Sequence, residues 1–367
     1  MDTEKGRKYV VFHPTIATYR IDFFNSLAKR LNCTIYLLMR KFVNFRDYDS
    51  IEKQFAFVPG YVFDEGDERI RAFSFRYWKI LDKEDPDVVL TFEFGSCPMM
   101  IILHKLLKRK KYKIITTCDD SPDIYLRGRL RHRICRMLCQ PFLDDVIYSS
   151  DEVCELSRKQ YGKGLYFPII RNGENARNKL SSLLPLSESI ASEYGLSSKC
   201  VIGFVGRLAP EKNIGELIEA FSKSAGNSDR LVLIGDGPER HMLENLSKEL
   251  NADVSFLGRI EGDELYAWYN LIDILVLPSK SEPFGAVTNE ALLAGCVVIV
   301  SDRCGSKCLV QQGENGFIYP SGDVTALSAA IVSAKGIAQV HNRKMVLRPD
   351  RMPVDYDSLF DSMISSI

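Results

Sequence analysis

The sequence predicts an α/β protein of two Rossmann-like domains, each a parallel sheet covered by helices, facing a central cleft. Three observations predict it. A chain of 367 residues with 46% hydrophobic content is long for one open sheet and sufficient for two buried cores. Short β-rich runs alternate with amphipathic helical stretches nearly from end to end, which is the rhythm of parallel strands joined by crossover helices. The rhythm breaks once, at LYFPIIRNGENARN, whose proline, asparagine and glycine mark a connection.

Taken in order, the first-half strand candidates are YVVFH from Tyr9, CTIYLLM from Cys33, DVVLTF from Asp87, KIITTC from Lys113 and DVIYSS from Asp145. After Asp151 a helical run ends at the glycines of KQYGKG, and the junction falls near Ile170. The pattern restarts with VIGFVG from Val201, LVLIG from Leu231, VSFLG from Val254, DILVLP from Asp273 and CVVIVS from Cys296. The expected domains are residues 1–170, joined by a C-terminal helix at 355–367, and residues 171–354. In open sheets of this kind ligands bind outside the carboxyl ends of the strands.

Composition narrows the function. Lysine plus arginine equal aspartate plus glutamate at 48 each, so the basic excess of a nucleic-acid binder is absent. The start, MDTEKGRKYVVFHP, is too short in apolar residues for a secretory segment and reads as the approach to a first buried strand. No later run reaches the roughly 18 apolar residues of a membrane helix. The ten cysteines are scattered without paired zinc-site spacing, as expected of reduced cytoplasmic thiols.

The most informative segment is SKSEPFGAVTNEALLAG. A strand ends at Pro278, a loop carries Glu282, and a helix begins near Gly285 or Ala286, with Glu290 about one turn in. A helix start offers unpaired amides and a positive dipole end, so the backbone of Phe284, Gly285, Ala286 and Val287 can cradle a diphosphate. Glu282 can accept from sugar hydroxyls and Glu290 from a ribose. Taken singly, each glutamate also fits a solvated loop or helix start; the surrounding pattern favours the binding reading.

In VIGFVGRLAPEKNIGELIEAF a buried strand ends in Gly206, followed by Arg207 and by Lys212 just before a helix. Two cations there can neutralise a departing diphosphate without a metal. The alternative is a pair of solvated loop cations, one of them paired with Glu211.

These segments resemble the C-terminal half of the retaining glycosyltransferases of family four (glycosyl transferases group 1), which have the type B glycosyltransferase fold. The likeness runs from about Val201 to Ala334 through GRLAPEKN, LIGDGPER, FLGRI, IDILVLPS, EPFGAVTNEALLAG and the ENGFIYPSGD turn. The resemblance implies that Arg207 and Lys212 bind the diphosphate, Glu282 the transferred sugar and Glu290 the ribose, with Gly206 beside the ligand. It also implies that the backbone around Arg259 and Ile260 contacts the base, and that no cofactor or metal is needed. Asp236, Gly237 and Pro238 read as a structural turn.

The first half is less explicit. Where similar enzymes carry a glycine-rich loop, this chain has HPTIATYR, so His13, Tyr19 and Arg20 are the acceptor-side candidates, although Tyr19 and Arg20 also suit the opening of a helix. IITTCDDSPD places Cys118, Asp119 and Asp120 where relatives have a histidine followed by an aspartate. Asp119 is the candidate to orient or deprotonate an acceptor hydroxyl, with helix capping by Asp120 or Ser121 as the competing role.

Two basic stretches, KLLKRKKYK from Lys105 and RGRLRHRICR from Arg127, suit either solvated helix faces or an anionic membrane leaflet. The expectation is a cytoplasmic, metal-independent, retaining enzyme that can touch the inner face of the membrane. Its partners are a nucleotide sugar and a glycan or lipid-linked acceptor in surface polysaccharide assembly. A nucleotide-sugar epimerase and a non-catalytic scaffold are the rivals.

Overall fold

The computed structural model describes residues 6–40, 48–64, 73–338 and 346–367. The start Met1–Lys5 and part of the basic segment before the last helix lie outside the described residues. The chain divides into two compact units, one of Met1–Ile169 with Leu359–Ile367 and the other of Ile170–Ser358.

The first unit holds β1 (Lys8–His13), β2 (Asn32–Leu37), β3 (Gly60–Tyr61), β4 (Val88–Phe92), β5 (Lys113–Cys118), β6 (Asp145–Tyr148) and β7 (Leu165–Tyr166). They form one sheet in the order β3-β2-β1-β4-β5-β6-β7, with every pairing parallel. The direction of winding reverses between β1 and β4, where Tyr9 pairs with Val88 and Val11 with Leu90. That reversal opens a crevice at the carboxyl ends of these two strands. The sheet core combines Val10, Phe12, Val89, Ile114 and Val146 with side chains of the covering helices. The C-terminal tail returns to this unit: Phe360 meets Phe23 and Phe167 at ring distances of 5.9 and 5.8 Å.

The second unit holds β8 (Cys200–Val205), β9 (Asp229–Ile234), β10 (Val254–Gly258), β11 (Ile274–Leu277), β12 (Val297–Ser301) and β13 (Gly316–Tyr319). Their order is β10-β9-β8-β11-β12-β13, again parallel throughout. β8, β11 and β12 are buried at every position. Continuous apolar runs of this kind belong to strands covered on both faces. The winding reverses between β8 and β11, so the second crevice lies beside Gly206 and the loop after Leu277.

One segment differs from its reading as a turn. Within ENGFIYPSGD, Gly316–Tyr319 is the sixth strand, in register with Val298–Ser301. A Cβ on Gly316 would lie 2.2 Å from the carbonyl oxygen of Val298, so glycine here permits close strand approach. All ten cysteines are free thiols. Among the described residues no helix is long and apolar enough to cross a membrane.

Candidate functional site

In the second unit, β8 delivers Gly206 and then Arg207 into the crevice. A Cβ on Gly235 would lie 1.7 Å from the Gly206 carbonyl oxygen, and one on Gly237 would lie 2.3 Å from that of Leu208. Leu208 also donates its amide to Asp236 O at 2.9 Å. The Asp236–Gly237–Pro238 turn is thus braced against the segment that carries Arg207. The Arg207 guanidinium is exposed and donates to Glu211 Oε1 at 2.7 Å.

Lys212 closes a single 3-10 turn, Pro210–Lys212, and Asn213 follows it with a left-handed φ of 55°. The Lys212 ammonium donates to Glu282 Oε2. Glu282 itself is pinned through its backbone, its amide to Arg303 O at 3.3 Å and its carbonyl from Gly305 N at 3.0 Å. Phe284 O accepts from Ser306 N at 2.7 Å, so the whole loop is held by the turn after β12.

Gly285 caps the helix Ala286–Leu293 with φ 94°. Thr288 Oγ1 and Ser306 Oγ, 2.8 Å apart, stitch the first turn of that helix to the bracing segment. The amides of the first turn have no carbonyl within the helix to bond, and the Lys212–Glu282 pair stands beside them. The Thr288 amide bonds back to Gly285 O at 3.0 Å, and the amides ahead of it, with the helix dipole and one lysine, make an anion-binding arrangement.

Glu290, one turn in, accepts from the Tyr269 hydroxyl at 2.9 Å and faces Arg171 Nη1 at 3.6 Å. Burial, reinforced by the Glu290 charge, pushes the Tyr269 phenol well above its ordinary range, so that hydroxyl remains a donor. Arg171 is positioned by its own amide, which donates to Asn289 Oδ1 at 2.7 Å. Neither Arg171 nor Tyr269 stood out in the sequence. Arg259, beyond β10, turns its side chain onto Glu261 at 2.8 Å, and Ile260 is half-buried. Gly258 O, just before them, accepts from Gly235 N at 2.7 Å.

In the first unit, the ends of β1, β4 and β5 bring His13, Glu93 and Asp119 to one crevice. The buried Arg20 guanidinium donates to Asp119 Oδ1. His13 Nδ1 donates to Thr15 O at 2.6 Å. Burial, then the nearby Arg20 charge, lowers His13 to about 4, so the ring is neutral at physiological pH. Tyr19 and Arg20 lie in the 3-10 turn Thr18–Arg20 that opens the helix Ile21–Arg30. The helix Pro122–Arg127 is capped by Ser121 Oγ, which accepts from Ile124 N at 3.4 Å, and not by Asp120.

Glu93 was not picked out in the sequence. It follows β4 with φ 50°, a conformation rare outside glycine, and its Oε1 accepts from Asp119 N at 3.2 Å. Solvent reaches the Glu93 side chain, yet the protein around it strips enough hydration, with help from the Asp119 and Asp120 charges, to raise it to about 8. Ligand atoms of Glu93, Cys118 and Asp120 lie within 4.8 Å of one another, a spacing that could hold a metal ion. Burial pushes the Cys118 thiol well up and raises Asp120, so all three hold protons more tightly than usual.

Two parallel α/β units with these windings make the type B glycosyltransferase fold. HepE of Anabaena, solved with UDP and glucose, superposes with a TM-score of 0.68 at 18% identity over 98% of this chain and 99% of that one. The likeness read in the sequence is shown as well: residues 188–337 match the family model described as Glycosyl transferases group 1. An uncharacterized glycosyltransferase of Methanocaldococcus jannaschii is 40% identical over 124 residues, 33% of this chain and 32% of that protein. The GDP-mannose-dependent alpha-mannosyltransferase of Mycobacterium tuberculosis is 33% identical over 137 residues, 37% of this chain and 34% of its own. The match thus spans about a third of the length of these curated relatives.

Proposed function

We propose that this protein is a retaining glycosyltransferase that moves a sugar from a nucleoside-diphosphate sugar to a glycan or lipid-linked acceptor, in the assembly of a surface polysaccharide. The observation that carries the reading is the pairing of Lys212 with Glu282 beside the amide-rich start of the helix Ala286–Leu293. The diphosphate lies on those amides, beside Gly206, with Lys212 and Arg207 neutralising it as it leaves. Glu282, once Lys212 turns to phosphate, takes the sugar hydroxyls, and Glu290 takes the ribose. The backbone at Arg259 and Ile260 meets the base.

Transfer needs no covalent nucleophile in this scheme. The bond from sugar C1 to the phosphate oxygen breaks while the acceptor hydroxyl adds to the same face, and the hydroxyl proton passes to the departing diphosphate. Asp119, held by Arg20, orients the acceptor, with His13 and Tyr19 nearby. A divalent ion is not required, because the cations of the protein do its work.

Calorimetric titration of uridine, guanosine and adenosine diphosphates into wild type and Glu290→Ala, with and without chelator, tests the reading. One nucleotide is expected to bind, to survive chelation and to be lost in the variant. Absence of binding to folded protein overturns the donor site, and loss on chelation overturns metal independence. Incubation with donor sugar alone separates transfer from epimerisation, since an epimerase changes the sugar without an acceptor.

A further inference from the structure

The helix Leu130–Cys139 of the first unit is apolar on the side away from the protein. Its inner side carries Cys139 and Arg136, whose guanidinium lies 3.5 Å from the Tyr125 ring centroid and donates to Tyr125 O at 2.7 Å. The outer side presents Leu130, Ile134, Met137 and Leu138 at exposures of 69, 42, 60 and 54%. Phe142, in the next turn, continues the stripe at 45%. An ordinary surface helix turns such residues inward.

At about 100° per residue the four apolar side chains cover roughly a third of the helix circumference, with Arg131 on one edge and Arg133 on the other. Arg127 and Arg129 precede them, and no acidic residue occurs between Ile124 and Leu143. None of these four exposed arginines has a carboxylate partner among the described residues. The basic stretch on the neighbouring helix differs. There Lys105 meets Asp144 at 3.2 Å, Lys108 meets Asp82 at 3.1 Å, and Lys110, just beyond it, meets Asp85 at 2.7 Å.

We propose that this face seats on an anionic lipid bilayer, with Leu130, Ile134, Met137, Leu138 and Phe142 entering the headgroup boundary and the flanking arginines meeting lipid phosphates. An apolar stripe framed by uncompensated cations is the pattern of a helix that lies in the membrane interface. A second copy of the chain fits poorly, because a symmetric contact would set arginine against arginine. Beyond Phe142 the surface turns mixed: the adjoining cavity of about 430 Å³ is walled by Lys105, Asp144 and Lys163 as well as by Ile102, Leu106 and Pro141.

The test is flotation of the full chain with vesicles of phosphatidylcholine alone and of phosphatidylcholine with about one-third phosphatidylglycerol. Binding is expected only to the anionic vesicles, and it weakens as salt rises. Arg131→Ala with Arg133→Ala weakens it roughly thirtyfold, and Ile134→Ser with Met137→Ser at least about tenfold. Arg131→Lys with Arg133→Lys retains it, as does Lys248→Ala on the second unit. All these side chains are exposed, so wild-type unfolding midpoints are expected.

Equal binding to both vesicle types, no binding to either, or an arginine-to-alanine variant that floats like wild type overturns the proposal. So does a dimer in light scattering that Ile134→Ser dissociates, since the stripe would then be an interface between copies. Retention by an acidic peptide together with no flotation would overturn it in favour of a protein partner.

Discussion

The Lys212 ammonium is bonded to the Glu282 carboxylate across 70 residues of sequence, with only 18 and 13% of the two side chains exposed. Each neutralises a charge that would otherwise be left in a partly dry crevice. Lys212→Met therefore strands a carboxylate and is expected to lower stability by about 1–3 kcal/mol, together with a hundred- to thousandfold loss of transfer, the rough scale for a lost charge-stabilising donor. Adding Glu282→Gln should restore most of the stability but none of the transfer. Thermal melts and sugar-transfer assays on the three proteins check this. A single variant that melts like wild type would show that the pair is not coupled.

Gly285 is required twice over. Its φ of 94° disfavours any side chain, and a Cβ would lie 2.6 Å from Leu277 Cδ2, 3.1 Å from Ser306 Oγ and 3.2 Å from Glu282 Cγ. Gly285→Ala is expected to cost about 1–3 kcal/mol and to displace the helix start, so nucleotide binding falls with it. Gly313 has a similar φ of 81° but nothing within 4 Å of a Cβ. Gly313→Ala should show only a backbone cost of about 1 kcal/mol, with nucleotide affinity unchanged. Urea unfolding and nucleotide titration separate the two effects.

The central strands were legible because burial on both faces writes them as unbroken apolar runs, such as VIGFV and VVIVS. Two-residue edge strands at Gly60–Tyr61 and Leu165–Tyr166 leave no such run. The glycines and charged residues of the second crevice were readable because they follow strand ends. Tyr269 was not, since within YAWYN an aromatic reads as core, and it is indeed core apart from one hydroxyl. Glu93 was hidden for another reason: its position depends on a left-handed φ of 50° at the glutamate itself, where glycine is the usual signal. The Arg20–Asp119 pair joins positions 99 apart in sequence, and only the order of strands brings them together.

Tyr269 donates to Glu290 while Arg171 faces the other carboxylate oxygen. The two fix the carboxylate in one orientation before a ligand arrives, which spares that ordering cost on binding. Tyr269→Phe keeps the ring in its pocket and removes only the hydroxyl. Nucleotide affinity is expected to fall roughly tenfold, the scale of one hydrogen bond to a charged group. Calorimetry on Tyr269→Phe, with the unfolding midpoint measured alongside, checks this. Unchanged affinity would mean that Glu290 needs no such support or does not hold the ligand.

His13 makes stability depend on pH with a definite sign. Its folded value of about 4 lies below the ordinary 6.5, so the unfolded chain takes up a proton more readily than the folded one. The contribution is complete above about pH 6.5 and is lost progressively as pH falls toward 4. It amounts to at most about 3 kcal/mol, and to less because the ring is only partly shielded from solvent. His13→Asn keeps a polar side chain but cannot gain the charge. Its unfolding free energy should fall less steeply than that of wild type between about pH 6.5 and 4, while the two proteins run parallel above about pH 7. Urea titrations at a series of pH values measure both curves. Parallel curves throughout would mean that His13 is already free to protonate in the folded state, and its ring would then be available as a cation in the crevice beside Arg20 and Asp119.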